Sequence, residues 1–294
     1  MMHLTDLSKQ WAIMFILIPL LTVGCSTVSV HRYLDTSLTN KTYDTVVLSK
    51  IPKEEISAPV EEKQYTSAGG GLLWILIDKG INKARARSAE KTIAPLLKAT
   101  ADVDFRTQYW NQLEPLLSGS PWLKISRFDK SSFGYDKGET DKIKAPLLIL
   151  NTVYQLSPNF QTLLVQTKAQ LYLLDTSKPA DYFGFMSYYS EKIGKNNEKD
   201  EKAVELWMAD NAAAYRKILS EGIEQNMKML RMDIIDSPPN PLNEHGEEIK
   251  LSVNSPISGS DEKLQGKVLD RRGNRVIIRE IGGNLFSLDT SSQK

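Results

Sequence analysis

Short apolar and β-branched runs recur between polar residues across the middle of the chain, and they predict strands. The clearest is Thr162–Leu174, where apolar and polar residues alternate, as in an antiparallel strand with one buried face. Together with Pro146–Leu156 and the turn Ser157-Pro-Asn159, it predicts an antiparallel hairpin. Further strands are predicted at Thr45–Ser49, Trp122–Phe128 and Tyr182–Ile193.

Other stretches carry apolar residues at helical spacing. Asp78–Ala101 is rich in Ala, Lys and Arg and has one apolar face, and Pro95 is expected to kink or split it. Val103–Leu117 repeats its apolar residues three to four positions apart. Ala203–Ile235 predicts the longest helix. Its apolar stripe consists of Tyr215, Leu219, Ile223, Met227, Leu230 and Ile234.

The C-terminal part of the chain has a different pattern. Ser237–Pro241 ends the long helix, and Leu242–Glu262 is polar with Pro, Gly and Ser, which favours a linker. Three short strands with Gly-Asn turns follow, at Leu264–Asp270, Arg275–Ile281 and Leu285–Asp289. So small a meander is not stable alone. It must pack on the main domain, pair with another chain or recruit its linker as extra strands.

These elements predict an α+β fold, with a mainly antiparallel sheet packed against two to three helices and a small C-terminal β-meander. The main domain is expected at residues 43–236, a linker at 237–262 and the meander at 263–294. On this division, deletion of residues 250–294 should leave the main fold intact.

The N-terminus has the composition of an export signal. Lys9 lies in a polar start, and a largely apolar run of fourteen residues follows from Trp11 to Gly24. This run is shorter than the ~20 apolar residues of a membrane-spanning helix, and Pro19 disfavours a straight span. Residues 1–24 are therefore predicted to be a signal peptide.

The run ends in Leu21-Thr-Val-Gly-Cys25, which resembles the lipobox of bacterial lipoproteins, although Leu21 lies one place early. The resemblance implies cleavage between Gly24 and Cys25, a diacylglyceryl group on the Cys25 thiol and acylation of the new amine. By the same resemblance, Ser26 rather than Asp implies an outer-membrane protein that faces the periplasm. Residues 25–42 would then be an anchor and tether, although Ser26–Lys41 is also compatible with an early edge strand. A cleaved signal with an incidental cysteine, or an uncleaved anchor, remains the alternative.

Composition excludes several classes of chemistry. Lys and Arg number 37 and Asp and Glu 36, for a net charge of +1, whereas nucleic-acid-binding proteins usually have a marked basic excess. One Cys and three His are too few for a disulfide or a zinc cluster, and His31 and His245 lie in polar segments. No nucleotide-binding motif occurs. We therefore expect a non-enzymatic protein without cofactor, metal or nucleic-acid partner.

Three sets of residues are candidates for binding. The first is Trp74, in the apolar segment Gly69–Ile77, which either dips into lipid or a partner or is buried. The second is aromatic: Tyr182, Phe183, Phe185, Tyr188 and Tyr189. These rings either form a sugar- or peptide-binding platform or fill the core. The third is basic: Arg271, Arg272, Arg275 and Arg279. These either meet anionic lipid, lipopolysaccharide or peptidoglycan groups or are ordinary solvated charges.

The order of elements over residues 43–236 resembles that of periplasmic α/β accessory lipoproteins, such as penicillin-binding-protein activators and the amino-terminal domain of the Tol-system translocation protein. The first hypothesis is a lipid-anchored envelope protein with a non-enzymatic binding or accessory role toward envelope proteins or cell-wall components. One alternative is a carboxylate-based cell-wall glycan enzyme, using acids such as Glu139 and Asp141 or Asp175 and Asp181. The other is a ligand- or lipid-binding accessory lipoprotein of a transporter, which needs an apolar pocket above ~300 Å³.

Overall fold

The computed structural model describes residues 31–57, 83–133, 140, 142–173, 175–195, 198–236, 246–257 and 260–291. The predicted signal peptide, Gly24 and Cys25 of the lipobox, and the apolar segment with Trp74 lie outside these residues. None of the helices in these ranges combines the length and apolar character that a bilayer crossing requires.

One sheet of nine strands organises the described residues. In chain order the strands are β1 Tyr43–Lys50, β2 Leu123–Ser131, β3 Leu147–Leu156, β4 Leu163–Tyr172, β5 Tyr182–Tyr189, β6 Glu248–Asn254, β7 Asp261–Arg272, β8 Arg275–Glu280 and β9 Leu285–Asp289. Within the sheet they lie in the order β2-β1-β3-β4-β5-β9-β8-β7-β6. Most neighbouring pairs are antiparallel, including the predicted β3–β4 hairpin. The predicted α+β fold is therefore confirmed.

Three helices in the described residues pack over the β1–β5 half of the sheet: α1 Lys83–Ala99, α2 Phe105–Ser118 and α3 Asp200–Leu230. The carboxylate of Asp104 caps α2 by accepting a hydrogen bond from the Thr107 backbone N–H at 2.9 Å. Helix α1 continues through Pro95, so the predicted split does not occur. Buried side chains such as Tyr109 of α2 and Ile223 of α3 meet the sheet in the main apolar core.

The long helix α3 is interrupted once. Ala209 is extended, and the next three residues are left-handed, with φ between 52° and 57°. Arg216 fixes this turn against the end of α1, because its guanidinium donates to Asp102 Oδ1 at 2.7 Å. After α3 the chain continues as a π-helix over Arg231–Ile235. Helical structure thus covers the predicted range Ala203–Ile235, but it is interrupted at Ala209–Ala212 and ends in a π-helix.

The C-terminal strands continue the sheet of the main domain. Strand β9 pairs in parallel with β5 through Met186–Tyr188, and β8, β7 and β6 follow outward. The three predicted meander strands are confirmed as β7, β8 and β9. The interpretation of residues 237–262 as a linker is wrong over Glu248–Asn254, because Leu251 and Val253 of β6 are buried. Of the predicted options, recruiting the linker and packing on the main domain both occur.

The β3–β4 hairpin is buried on both faces, not on one. Val165 and Tyr188 face the helices, whereas the adjacent Leu164 and Tyr189 belong to a second apolar cluster with Val276 and other residues of the C-terminal strands. The prediction of a single buried face fails because it did not anticipate that the C-terminal strands would cover the other side. The sheet must curl for this contact to form.

The segment that precedes β1 contacts the sheet, as the edge-strand alternative predicted in part. Arg32 makes an isolated antiparallel bridge with Phe183 of β5, its N–H donating to the Phe183 carbonyl at 2.8 Å. Leu34 is 3% exposed and lies in the main core. The interpretation of residues 25–42 as a tether is therefore wrong from His31 onward, because this segment packs beside the start of β5, before the pairing with β9 begins.

Candidate functional site

A buried ion pair joins the end of the helical layer to the C-terminal strands. Arg279 Nη1 donates to Asp233 Oδ1 at 2.7 Å, and the two side chains are 4% and 1% exposed. Arg279 also donates to the Gly283 carbonyl at 3.0 Å, and the Tyr182 hydroxyl donates to the other Asp233 oxygen. Burial, followed by the Asp233 charge, raises the pKa of Tyr182 well above its usual value. The phenol therefore remains a neutral donor.

Asp233 lies in the π-helix that follows α3. It is buried there, next to Ile234 and Ile235. The Trp122 indole satisfies this helix end by donating to the Ile234 and Ile235 carbonyls at 3.1 and 3.2 Å. Asp233 lies five full helical turns after Tyr215, at about 3.6 residues per turn, so a uniform helix puts it on the apolar stripe. It was not predicted as a site residue because the stripe was identified from its apolar members alone.

His31 lies against the ion pair and is 7% exposed. Its ring is 4.4 Å from the Tyr33 ring and 5.7 Å from the Tyr182 ring, centroid to centroid. A Cβ at Gly184 would come within 2.9 Å of this imidazole and a Cβ at Gly283 within 2.7 Å. Both glycines are therefore required for the histidine to fit.

Neither ring nitrogen of His31 has a partner with hydrogen-bond geometry among the described residues. Burial lowers the pKa of His31, although the Asp233 carboxylate acts in the opposite direction and the Arg279 charge adds to the lowering. Glu280 and the Asn284 amide are also close enough to favour the charged ring. A lone histidine in a polar segment gave no signal of this packing at the sequence level.

A pocket of about 230 Å³ opens beside this cluster. Its lining consists of Tyr33, Glu248, Gln265, Gly266, Lys267, Arg279, Glu280 and Ile281. The Arg279 guanidinium lies 5.5 Å from the centroid of the Tyr33 ring, so the pocket floor is a cation–π contact. Ile281 at its rim is 78% exposed. Buried charge, an imidazole and an open pocket thus meet at one place, where β8 and β9 turn.

The aromatic set is mostly core. Tyr182, Phe185, Tyr188 and Tyr189 are at most 4% exposed, and only Phe183 of the five is half-buried. The Phe183 ring lies under the Lys168 ammonium at 5.2 Å. The platform hypothesis is therefore wrong for four of the five rings, because both faces of β5 are covered.

The arginine set does not form one exposed cationic hairpin. Arg275 donates to Glu221 at 2.9 Å and lies 4.7 Å from the Tyr188 ring, and Arg279 is in the buried pair. The headgroup-binding hypothesis is wrong for these two, because β8 lies between β7 and β9 rather than at an edge. Arg271 and Arg272 are on the surface, with Glu247 at 3.2 Å and Asp270 at 4.0 Å respectively.

A second pocket, of about 140 Å³, is lined by four acids, Glu54, Glu55, Asp102 and Asp104, and both aspartates have hydrogen-bond partners. Asp104 caps α2, and its hydrogen bonds with Thr107 lower its pKa. The hydrogen bond from Arg216 lowers the pKa of Asp102. A general acid of a glycan hydrolase requires a raised pKa, so neither aspartate has the property that this chemistry needs.

Other predicted acids have structural roles or cannot be placed. The Asp181 carboxylate accepts from the Leu173 N–H at 2.7 Å, and Asp175 accepts from the Ser177 N–H at 2.9 Å, so both shape the β4–β5 turn. Glu139, Asp141 and His245 lie outside the described residues. Within the described ranges, no group of three His, Cys, Asp or Glu side chains is arranged to hold a metal ion.

Comparison with known proteins adds no family to this picture. No protein-family description matches the chain, and no curated protein matches it. One solved structure, titled "Crystal structure of uncharacterized protein", aligns with 66% of this chain and 94% of its own at 9% identity. Its TM-score of 0.23 is too low to carry any argument about fold or function.

Proposed function

We propose that this protein is a lipid-anchored component of the bacterial cell envelope, held in the outer membrane and facing the periplasm. Its role is non-enzymatic, a binding or accessory function toward envelope proteins or cell-wall components. The anchor is the Cys25 thiol of the lipobox-like sequence. The observation that best supports this proposal is the lipobox-like sequence from Leu21 to Cys25, and His31, six residues after Cys25, is buried in the folded domain.

So short a connection has a physical consequence. Six extended residues span at most about 20 Å, so acyl chains on Cys25 would keep the folded domain at the membrane surface. Each buried acyl CH₂ group contributes about 0.8 kcal/mol, and two or more chains together anchor a protein stably. A domain held in this way acts on partners that are themselves at the membrane or just beneath the cell wall.

Fractionation of cells tests the anchor. The parent protein is compared with a variant that carries Cys25→Ala behind a conventional cleavable signal in place of residues 1–24. We expect the parent in the membrane fraction and the variant in the soluble periplasmic fraction, because only the cysteine can be acylated. If the variant remains with membranes to the same degree as the parent, the acyl anchor is refuted.

A second experiment addresses the partner. Crosslinking in intact cells, followed by identification of the attached species, should recover an envelope protein or peptidoglycan fragment with the anchored parent. The soluble Cys25→Ala variant is the matched control, and we expect it to lose that crosslink because it is no longer held beside the membrane. A crosslink of equal yield from both would show that anchoring does not matter for the interaction.

A further inference from the structure

We propose that the β8–β9 turn is the face by which the domain contacts the lipid surface, with Ile281 entering the membrane interface. This inference rests on the proposed function, since it assumes the acyl anchor at Cys25. It adds the orientation of the domain and a second, non-covalent contact with lipid.

The first argument is the position of His31, six residues after the proposed anchor at Cys25. The imidazole of His31 packs so closely on the β8–β9 turn that a Cβ on Gly283 would lie 2.7 Å from it. Ile281 is two residues from Gly283 in the same turn. Six residues span at most about 20 Å, so an anchor at Cys25 favours an orientation in which this turn, rather than the β2 edge of the sheet, faces the bilayer.

The second argument is the character of the turn. Turns usually expose Gly, Asn, Asp, Ser or Pro, whereas this one presents an isoleucine that is 78% exposed. The neighbouring Glu280 is directed into the turn, where its carboxylate accepts from the Gly282 N–H at 2.7 Å and from the Asn284 amide at 3.2 Å. The tip thus exposes the apolar side chain of Ile281, while the neighbouring Glu280 carboxylate is hydrogen-bonded within the turn.

The third argument is the pocket behind Ile281. Its lining includes Lys267, Glu248 and Glu280, while Arg279 at its floor is held in the buried pair with Asp233. Lysine and glutamate side chains beside an apolar tip suit the headgroup layer, where lipid phosphates and ammonium groups lie together. One isoleucine is a weak membrane ligand by itself. Because the acyl anchor already holds the domain at the bilayer, the effective concentration of Ile281 at the lipid surface is high.

Two single-cysteine variants test the orientation. Ile281→Cys and Phe133→Cys replace the two large hydrophobic side chains that are exposed in the described residues, at 78% and 80%. Phe133 follows the edge strand β2, which four strands separate from β9, and is the matched control. Since Cys25 is acylated, the introduced thiol alone takes an environment-sensitive fluorophore. The lipidated full-length protein is placed in vesicles of phosphatidylethanolamine and phosphatidylglycerol that contain a doxyl-labelled quencher lipid.

We expect a blue shift and loss of emission for the label at position 281, and neither change at position 133. Both variants should melt like the parent, because each replaced side chain is exposed. If the protein floats with the vesicles but the label at 281 is not quenched, or both labels are quenched equally, this orientation is wrong and the anchor stands. If the protein does not float, the anchor itself fails and the orientation fails with it.

Discussion

The two sides of strand β5 are attached to the rest of the protein in different ways. Toward β4, it pairs antiparallel over its whole length, with Tyr182 to Tyr189 each opposite a β4 residue. Toward β9, it pairs in parallel at only three positions, Met186, Ser187 and Tyr188, and Arg32 bridges Phe183 beyond them. The second boundary has fewer backbone hydrogen bonds, so side chains carry more of the attachment.

The side chains at the two boundaries differ in charge. Under β4 lies a neutral network in which the Tyr109 hydroxyl donates to Asn226 Oδ1 at 2.7 Å and lies 2.6 Å from Thr167 Oγ1. Burial raises the pKa of Tyr109 to about 12, so this network remains uncharged. Across the β9 boundary, Asp233–Arg279 and Glu221–Arg275 link the helical layer to β8. The C-terminal strands are therefore joined to the helical layer by charged pairs in addition to their apolar contacts, whereas the contact between α2, α3 and β4 is neutral.

The largest expected effect comes from removing one of these charges. Asp233→Asn leaves the Arg279 guanidinium buried without a counter-charge, and we expect the free energy of unfolding to fall by about 3–5 kcal/mol. Asp102→Asn is the matched control, because its pair with Arg216 has the same 2.7 Å separation but is exposed to solvent. Denaturant unfolding should show little change in the control. Equal losses in both variants would mean that burial does not strengthen the Asp233 pair.

The next largest effect tests whether the His31 ring packs closely against Gly283 in the β8–β9 turn. Gly273 and Gly283 both have positive φ, at 58° and 97°. Gly273→Ala meets nothing within 4 Å and should cost only the left-handed penalty of about 1–2 kcal/mol, whereas Gly283→Ala should cost more because its Cβ meets the His31 ring. Thermal melting of both variants measures the difference. Equal melting temperatures would argue against close packing of His31 on the turn.

The neutral network of the main body gives a third comparison. Thr167→Val removes a hydroxyl that donates to Asn226 Oδ1 at 2.7 Å and lies 2.8 Å from Thr152 Oγ1. We expect a loss of about 1–3 kcal/mol in unfolding free energy, because buried polar partners are left unsatisfied. Thr152→Val, at the end of the network, should lose less. A larger loss for Thr152→Val would show that the network is not centred on Thr167.

The smallest effect is the contribution of His31, which lies beside the Asp233–Arg279 pair, to the pH dependence of the free energy of unfolding. Burial lowers the pKa of His31 below 6.5, so the unfolded chain binds more protons just below that pH. The His31 contribution to stability is therefore complete above about pH 6.5 and is lost as the pH falls toward the folded-state pKa. His31→Phe keeps a ring in the same place and should flatten this part of the profile. Urea unfolding between about pH 5 and 8 checks it, and an unchanged slope in the variant would exclude His31 as the cause.

Local patterns predicted most individual elements. The alternation in Leu163–Tyr172 and the Gly-Asn turns around β8 are properties of a few adjacent residues, and the observed strands agree with them. The pairing of β5 with β9 could not be predicted, because it joins residues about a hundred positions apart and leaves no local signal. Strand β6 was missed because Glu248–Asn254 follows a segment rich in Pro and Asn, although Ile249, Leu251 and Val253 alternate with polar residues within it.

The residues of the candidate site were predicted only in part. Tyr182 and Arg279 stood out by type, but an aromatic or basic residue has no fixed role until both faces of its strand are known. Asp233 and His31 were not predicted as site residues. Asp233 lies on the apolar stripe of the long helix, but its partner Arg279 is 46 residues away, and the fit of His31 depends on two glycines far away in sequence. Cys25 is the opposite case, because its predicted role depends on a short sequence and not on the fold.

The acyl anchor is tested most directly by mass spectrometry of the N-terminal peptide of the purified protein. We expect the mature chain to begin at Cys25 and to carry the mass of a diacylglyceryl group and an amide-linked acyl chain. An unmodified N-terminus, or residues 1–24 still attached, would contradict the account.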